Sequence, residues 1–100
     1  MIRIFREVND KLNEEIIDLE ATKEIVRGTW IDITEPNPTI LQKIAELTGI
    51  SLDMLNTSLD EEETAHVDID EGDTLIVLDT PYVEDAALSK YSTAPLVIVY

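Results

Sequence analysis

The sequence predicts an α/β (α+β) fold, in which a β-sheet is flanked by helices, for a single domain of residues 1–100. Two observations support this prediction. Several short segments alternate apolar and polar residues with a period of two, as half-buried strands do, whereas one central segment repeats apolar residues every three or four positions, as an amphipathic helix does. Hydrophobic residues make up 44% of the 100 residues, which suffices for the core of one domain.

The first third of the chain is predicted to contain two strands. Residues 1–8 alternate apolar and charged side chains and predict the first strand. Residues 11–27 fit a helix and a strand equally well, so both alternatives stay open. After a glycine, residues 29–34 alternate again and predict the second strand. We expect its tryptophan, Trp30, to lie in the core or to pack on the sheet.

Two helices are predicted in the middle of the chain. Asn37 followed by Pro38 is typical of an N-cap and a first helical residue. Gly49 supplies the left-handed residue that ends this helix. Ser51 can cap a second, short helix that extends to Leu59.

The last third is predicted to be mainly strands. Residues 65–70 and 74–80 flank turn residues and predict a hairpin, with residues 74–80 apolar enough to be buried on both faces. Residues 82–89 are small and polar and predict a loop, whereas residues 90–100 predict a final strand. Because domain ends are usually polar, the apolar segment 95–100 suggests a piece of a longer protein.

Negative charge dominates the composition. The chain has 22 acidic and 7 basic residues and a formal net charge of −15, which excludes nucleic acid as a partner because phosphates would be repelled. Residues 51–100 contain 12 acids and 1 base, and no Lys or Arg lies between Ile44 and Ser89. The absence of cysteine fits a reducing cytosol. The apolar runs are too short to span a bilayer, so we expect a soluble, intracellular chain.

Few residues suggest chemistry, and an enzyme is not expected. The one histidine, His66, lies in a predicted strand without a recognisable nucleophile beside it. No glycine-rich phosphate loop is present and no organic cofactor is expected. Asp60, Glu61 and Glu62 are the candidate metal ligands, because adjacent carboxylates repel one another and gain from a hydrated Mg²⁺. The alternative is that these residues form an exposed, solvated helix end.

Several short motifs occur together in an order that is typical of one transporter family. They are Trp30-Ile-Asp-Ile33, Pro36, Leu41 with Ile44 and Ala45, Thr48-Gly-Ile50, Leu52-Asp-Met-Leu55, Leu59-Asp60-Glu-Glu62, Val67-Asp-Ile-Asp-Glu71, Asp73-Thr-Leu-Ile-Val-Leu78, Pro81 and Tyr91 to Leu96. Over residues 27–100 this arrangement resembles the cytoplasmic N-terminal domain of the CorA family of magnesium and divalent-cation transporters.

The resemblance implies a fold, a partner and a role. It implies an α/β/α sandwich with a mixed sheet, truncated here before a helical stalk and two membrane helices. The partners would be neighbouring subunits of a homopentamer at the cytoplasmic face of the membrane, which only the missing C-terminal helices would contact. In such transporters, Mg²⁺ held between acidic groups of neighbouring domains keeps the pore closed, so the domain is a sensor.

The resemblance also puts the family's regulatory metal site in doubt. It places the family's intersubunit metal aspartate at Thr57, preceded by Asn56, and a hydroxyl is a poor replacement for a carboxylate. Family proline and arginine positions are occupied here by Glu61, Thr64 and His66, which makes the region more negative. If divalent ions act on this domain, the better candidates are therefore Asp60 and its acidic neighbours, through water.

Two functional hypotheses follow from these observations. The first is a regulatory domain that senses cytosolic Mg²⁺ and contributes to gating of a Mg²⁺ (Co²⁺) transporter. The second is a structural interaction domain, whose acidity steers cations toward the pore without a specific site.

Overall fold

The strands of this protein form two three-stranded sheets. The computed structural model describes all residues, 1–100. The elements in chain order are β1 (Ile2–Val8), β2 (Lys11–Ile16), β3 (Trp30–Ile33), α1 (Pro38–Thr48), α2 (Leu52–Asn56), a 3₁₀ helix (Thr57–Leu59), β4 (His66–Asp70), β5 (Asp73–Asp85) and β6 (Lys90–Val99). This mixture of helices and antiparallel strands confirms the predicted α+β class.

The chain divides into two compact units, Met1–Gly49 and Ile50–Tyr100. The strand order is β2-β1-β3 in the first unit and β4-β5-β6 in the second, and every neighbouring pair is antiparallel. This pairing differs from the mixed sheet that the resemblance implies. Short turns join β1 to β2, β4 to β5 and β5 to β6, and strands joined in this way pair antiparallel. The single domain of residues 1–100 stays a prediction.

Arg3 connects all three strands of the first sheet. It lies on the central strand β1, and its guanidinium donates hydrogen bonds to Asp32 on β3 at 2.5 Å and to Glu14 on β2 at 3.0 Å. Hydrogen bonding to Asp32, and then to Glu14, raises the pKa of Arg3 above its ordinary value. The opposite face of β1 carries the buried residues Ile2 and Ile4. This sheet therefore has one polar face and one buried apolar face.

Residues 11–27, for which helix and strand were both open, begin as a strand and continue without a regular element. Strand β2 ends at Ile16, and residues 17–29 contain only turns and irregular segments. The turn between β1 and β2 explains the outcome, because Asn9 and Asp10 have φ values of 53° and 63°. Two consecutive left-handed residues are typical of a tight hairpin turn, so the chain returns beside β1.

Of the two expected places for Trp30, the core and the surface of the sheet, the core is wrong. Its side chain is 60% exposed, although it pairs across the sheet with Phe5. Strand β3 is an edge strand, and Trp30 lies on the same face as Arg3 and Phe5, the polar face of the sheet. The alternation of apolar and polar residues correctly predicts a strand here, but it does not predict which face of the strand is buried.

Helix α1 begins and ends at the predicted residues. The Asn37 side chain accepts a hydrogen bond from the Ile40 backbone N–H at 2.9 Å, with Pro38 in the first turn. Gly49 ends the helix at φ 77°, and its N–H donates to the Ala45 carbonyl. Leu41 is 2% exposed and lies on the apolar stripe of the helix. Neither α1 nor α2 has the length and apolar character needed to cross a membrane.

The core of the second unit is formed by Met54 of α2 and by Leu75 and Val77 of β5. Val97 and Val99 of β6 pack against this cluster. The prediction that residues 74–80 are buried on both faces is wrong. Only the face that α2 contacts is buried, and Leu78 on the other face is 45% exposed.

The predicted loop at residues 82–89 is also wrong, because strand pairing continues into it. Tyr82 pairs with Ser92 and Val83 pairs with Tyr91, so β5 extends to residue 85. The connection is a short turn, in which the Asp85 carboxylate accepts the Ala87 N–H at 3.0 Å. Pairing with β6 therefore overrides the weak local strand preference of this segment.

Leu75 and Leu78 offer a matched test of the one-sided core. Leu75→Ala should lower the free energy of unfolding by about 2–5 kcal/mol, because a buried leucine is replaced by a cavity. Leu78→Ala should cost about 1 kcal/mol or less, because its side chain is half exposed. Chemical denaturation of both variants measures the difference, and equal losses would contradict a core on one face only.

Candidate functional site

The start of α2 is fixed to the start of β5. The Ser51 backbone N–H donates to the Asp73 carboxylate at 2.8 Å. The Ser51 hydroxyl also accepts from the Met54 N–H at 3.4 Å and so caps the helix, as predicted. Because α2 has only five residues, this bond to β5 and the burial of Met54 hold it in place.

The candidate ligands lie in a turn that follows the 3₁₀ helix, which we call the acidic turn, residues 60–63. The Asp60 carboxylate accepts the Glu62 N–H at 2.9 Å, and the Glu63 N–H donates to the Asp60 carbonyl at 3.3 Å. This side-chain to backbone bond is the local reason why an aspartate begins the turn. One carboxylate oxygen of Asp60 is thus engaged in the turn itself.

The carboxylates of the acidic turn are concentrated without a basic counterpart. Asp60, Glu61 and Glu62 are exposed, and Glu63 is partly buried. The Nδ1 of the His66 imidazole lies 3.6 Å from the Glu63 carboxylate. Hydrated cations are therefore attracted to this turn by several like charges.

No three acidic or histidine side chains of the protein converge as a group that could hold a metal ion. Asp60, Glu61 and Glu62 are close in sequence, but the turn does not direct their oxygens to one point. Direct coordination of Mg²⁺ demands near-octahedral oxygens, whereas a fully hydrated ion needs only outer contacts. Within one chain, the arrangement can thus attract a hydrated cation but does not form a preorganised binding site.

Thr57 and Asn56 lie where α2 passes into the 3₁₀ helix. The Thr57 hydroxyl donates to the Asp53 carbonyl at 3.4 Å, and the next hydroxyl, Ser58, donates to the Leu55 carbonyl at 2.7 Å. Both hydroxyls are used to satisfy carbonyls at a helix end. Thr57, at which the resemblance places the family's metal aspartate, thus stabilises local structure here.

His66 begins β4 and is exposed. Its Nδ1 lies 2.6 Å from the Thr64 carbonyl, which can only accept, so Nδ1 carries a proton and Nε2 is the acceptor in the neutral ring. A pocket in the first unit is lined by Leu19, Glu20, Thr39, Ile40 and Lys43. His66 is not among those residues. No serine or threonine hydroxyl forms a hydrogen bond with its ring.

One residue that orders the site was not recognised from the sequence. The sequence places Asp73 in a turn and at the start of a family motif, yet its carboxylate accepts the Ser51 N–H across 22 residues. The sequence does show an aspartate directly after a glycine, which indicates a side chain that can accept a hydrogen bond near a turn. It does not show that the donor is the N–H of Ser51. Long-range hydrogen bonds depend on which elements meet in the fold.

Comparisons with known proteins were consistent with the resemblance. Over 66 residues the chain is 36% identical to the cobalt/magnesium transport protein CorA of Methanocaldococcus jannaschii, a match that covers 66% of this chain and 21% of that protein. The complete structure of the CorA magnesium transporter from the same organism is similar over 98% of this chain and 29% of that one, with a TM-score of 0.69 and 28% identity. The chain thus spans under a third of the length of these relatives. No protein-family model matches the chain.

Replacing Asp73 should loosen the segment that carries the acidic turn. Asp73→Ala removes the acceptor of the Ser51 N–H, and we expect a loss of about 1–3 kcal/mol in the free energy of unfolding. Amide hydrogen exchange in α2 should become faster. The matched control is Asp70→Ala, because Asp70 pairs directly with Asp73 but is exposed. Its effect should stay within about 0.5 kcal/mol, and equal effects of both changes would contradict the role of Asp73.

Proposed function

We propose that this chain, which is similar to CorA transport proteins, is a CorA-like domain that regulates a Mg²⁺ (Co²⁺) transporter from the cytoplasmic side of the membrane. The observation that supports this function is the acidic turn, which combines four consecutive acids with the absence of any Lys or Arg between Ile44 and Ser89. A surface of this kind changes its internal repulsion when the concentration of a divalent cation changes.

In this proposal, binding of the ion is linked to the equilibrium between two arrangements of the domain. An ion that binds one arrangement of the domain better than another shifts the population toward the first arrangement. At high cytosolic Mg²⁺, relief of repulsion among carboxylates at subunit contacts favours the closed transporter. When the ion is scarce, the repulsion returns and the contacts loosen. The cation is here both the regulatory ligand and the cargo.

The donor set of the acidic turn suits a hydrated Mg²⁺. Carboxylate oxygens are the hard ligands that this ion accepts, and Mg²⁺ keeps several of its own waters. Asp60, Glu61 and Glu62 would hold it through those waters, and a neighbouring subunit of a homopentamer would complete the shell. The need for a neighbour agrees with the lack of three converging donors within one chain.

A second candidate function is electrostatic steering in a structural domain. It is favoured by the distribution of the charge, because the 12 acids of residues 51–100 are spread over the helix, turns and strands of the second unit. Such a field raises the local concentration of cations near a pore without a specific site. In this alternative the acidic turn acts no differently from the other acids.

The remaining features of the proposal follow from the relatives and the charge. Both relatives are named as transport proteins, so we assign the domain no catalytic role. Its partners would be neighbouring subunits, and its contact with the membrane would be made by other segments of the transporter. Nucleic acid is not a partner, because a net charge of −15 opposes phosphate binding.

A Mg²⁺ titration of the labelled chain tests the acidic turn. We expect saturable amide shifts at residues 60–63 at millimolar Mg²⁺, with NaCl at matched ionic strength as the reference. The triple variant Asp60→Asn, Glu61→Gln, Glu62→Gln should abolish them, and Asn at position 60 keeps an acceptor for the Glu62 N–H.

The matched control removes the same charge from the β4–β5 hairpin, by Asp68→Asn, Asp70→Asn and Glu71→Gln. If the response belongs to the acidic turn, this control should leave the shifts at residues 60–63 unchanged. If both triple variants weaken small, uniform shifts that also disappear in NaCl, steering replaces sensing as the function. Unchanged shifts in the acidic-turn variant would exclude a role for those three residues.

Ion flux tests the regulatory role in the assembled transporter that carries this domain. In proteoliposomes, the acidic-turn variant should raise the Mg²⁺ concentration on the domain side that halves the flux, by about threefold or more. The loss of like charges removes the coupling between ion binding and closure. The hairpin control should not move this concentration, and an unchanged value in the acidic-turn variant would contradict regulation through the turn.

A further inference from the structure

The pocket of the first unit lies between a turn and the first half of α1. Its walls are Leu19 and Glu20 from the turn, and Thr39, Ile40 and Lys43 from the helix. The cavity has a volume of about 400 Å³, within the range of about 300–1,000 Å³ that is usual for small-molecule sites. The pocket therefore has room for a small organic molecule.

The wall formed by the turn is fixed by Asp18. Its carboxylate accepts the Glu20 N–H at 3.0 Å, and its carbonyl accepts both the Thr22 N–H at 3.0 Å and the Thr22 hydroxyl at 2.7 Å. An aspartate that binds the backbone two residues further on is typical of an Asx turn. These bonds hold the backbone of Leu19 and Glu20 in place, so both side chains can line the pocket.

The wall formed by α1 follows from helix geometry. Residues three and four positions apart lie on one face of a helix, so Lys43 shares a face with Ile40 and Thr39. Helical side chains lean toward the N-terminus of their helix. The Lys43 side chain therefore extends over the turn that carries Ile40 and Thr39, and the three residues form one continuous wall.

The pocket contains one cation and one carboxylate, and neither has an ion-pair partner within the chain. Lys43 is partly buried, Glu20 is exposed, and neither belongs to any of the ion pairs. The other basic side chains without an ion pair, Lys11, Lys23 and Arg27, are all exposed. Lys43 thus differs from them, because its partial removal from water is not offset by a carboxylate of the chain.

Thr39 adds hydrogen-bond donors to the same wall. Its N–H lies in the first turn of α1, and neither this N–H nor the hydroxyl donates a hydrogen bond within the chain. The N–H groups of a first helical turn have no partner in the helix itself. Together with the Lys43 ammonium, these donors suit a carboxylate, which accepts several hydrogen bonds at once.

The lining of the pocket selects a small molecule with two opposite charges and an apolar body. A carboxylate would pair with Lys43 and an ammonium group with Glu20, while an aliphatic chain would contact Leu19 and Ile40. A simple anion would leave Glu20 unpaired, and a simple cation would leave Lys43 unpaired. A net-neutral ligand also avoids the repulsion that a chain of net charge −15 exerts on anions.

We propose that this pocket binds an apolar α-amino acid in its zwitterionic form. The ammonium and carboxylate of such a molecule match the two unpaired charges, and its side chain matches the two aliphatic residues of the walls. This inference is independent of the proposed Mg²⁺ regulation, because the pocket lies in the first unit and the acidic turn lies in the second.

Four small probes, titrated into the isotope-labelled chain, test the charge pattern. L-Leucine carries both charges, 4-methylpentanoate lacks the ammonium group, 3-methylbutylamine lacks the carboxylate, and glycine lacks the apolar body. L-Leucine should give saturable amide shifts at residues 18–22 and 38–44. It should bind at least about 10-fold more tightly than the two singly charged analogues, and about 10-fold more tightly than glycine because its isobutyl group is removed from water.

Variants of the chain locate the site. Lys43→Gln and Glu20→Gln should each weaken binding of L-leucine by about 10-fold or more, because each removes the partner of one ligand charge. Glutamine forms helices about as well as lysine, so α1 is retained. The matched controls, Lys23→Gln and Glu24→Gln, make the same changes at exposed positions outside the pocket. They should leave the affinity within about twofold.

Each outcome decides the proposal. Equal affinities for L-leucine and 4-methylpentanoate, or for L-leucine and 3-methylbutylamine, would overturn a zwitterion as the ligand. Unsaturable shifts at millimolar L-leucine, or shifts confined to residues outside the two walls, would overturn the pocket as the site. If the Lys43 variant fails to fold, the four probes on the unaltered chain still decide the proposal. The acidic-turn variant should bind L-leucine normally, so a failure of Mg²⁺ regulation is distinguishable from a failure of this site.

Discussion

Repulsion among carboxylates that lack basic partners is the constraint on which the rest of this protein depends. The first unit meets it locally, because Arg3 pairs with Glu14 and Asp32, and Arg6 with Glu15. The second unit has only the pairs of Lys90 with Glu84 and His66 with Glu63, each at 3.6 Å. Most of its acids therefore have no ion-pair partner within the chain, and mobile cations of the solvent screen their repulsion.

The small core of the second unit makes its stability sensitive to surface charge. Its buried cluster consists of Met54, Leu75 and Val77, with partial cover from β6. A core of this size offers little stability in excess of the cost of ordering the chain. Charge effects at the surface are then comparable with the net stability.

The sequence predicted the acidic residues of the candidate site but not their geometry. The sequence identified Asp60, Glu61 and Glu62 as uncompensated acids, because charge counts need no coordinates. It could not tell that the Asp60 carboxylate would accept the Glu62 N–H, or that no three donors would converge. It also missed the bond from Ser51 to Asp73, which joins residues far apart in the chain. Metal ligation depends on the direction of oxygens, and that direction comes from the fold.

Local chemistry determined by itself where both helices begin and where α1 ends, because a cap acts over three or four residues. Asn37, Gly49 and Ser51 take those roles here. Only the tertiary structure decided that residues 82–85 continue a strand, that Trp30 is exposed and that one face of β5 lacks cover. Each of these outcomes depends on a partner distant in sequence. Alternation specifies that a strand has two faces, and the neighbours assembled in space decide which one is buried.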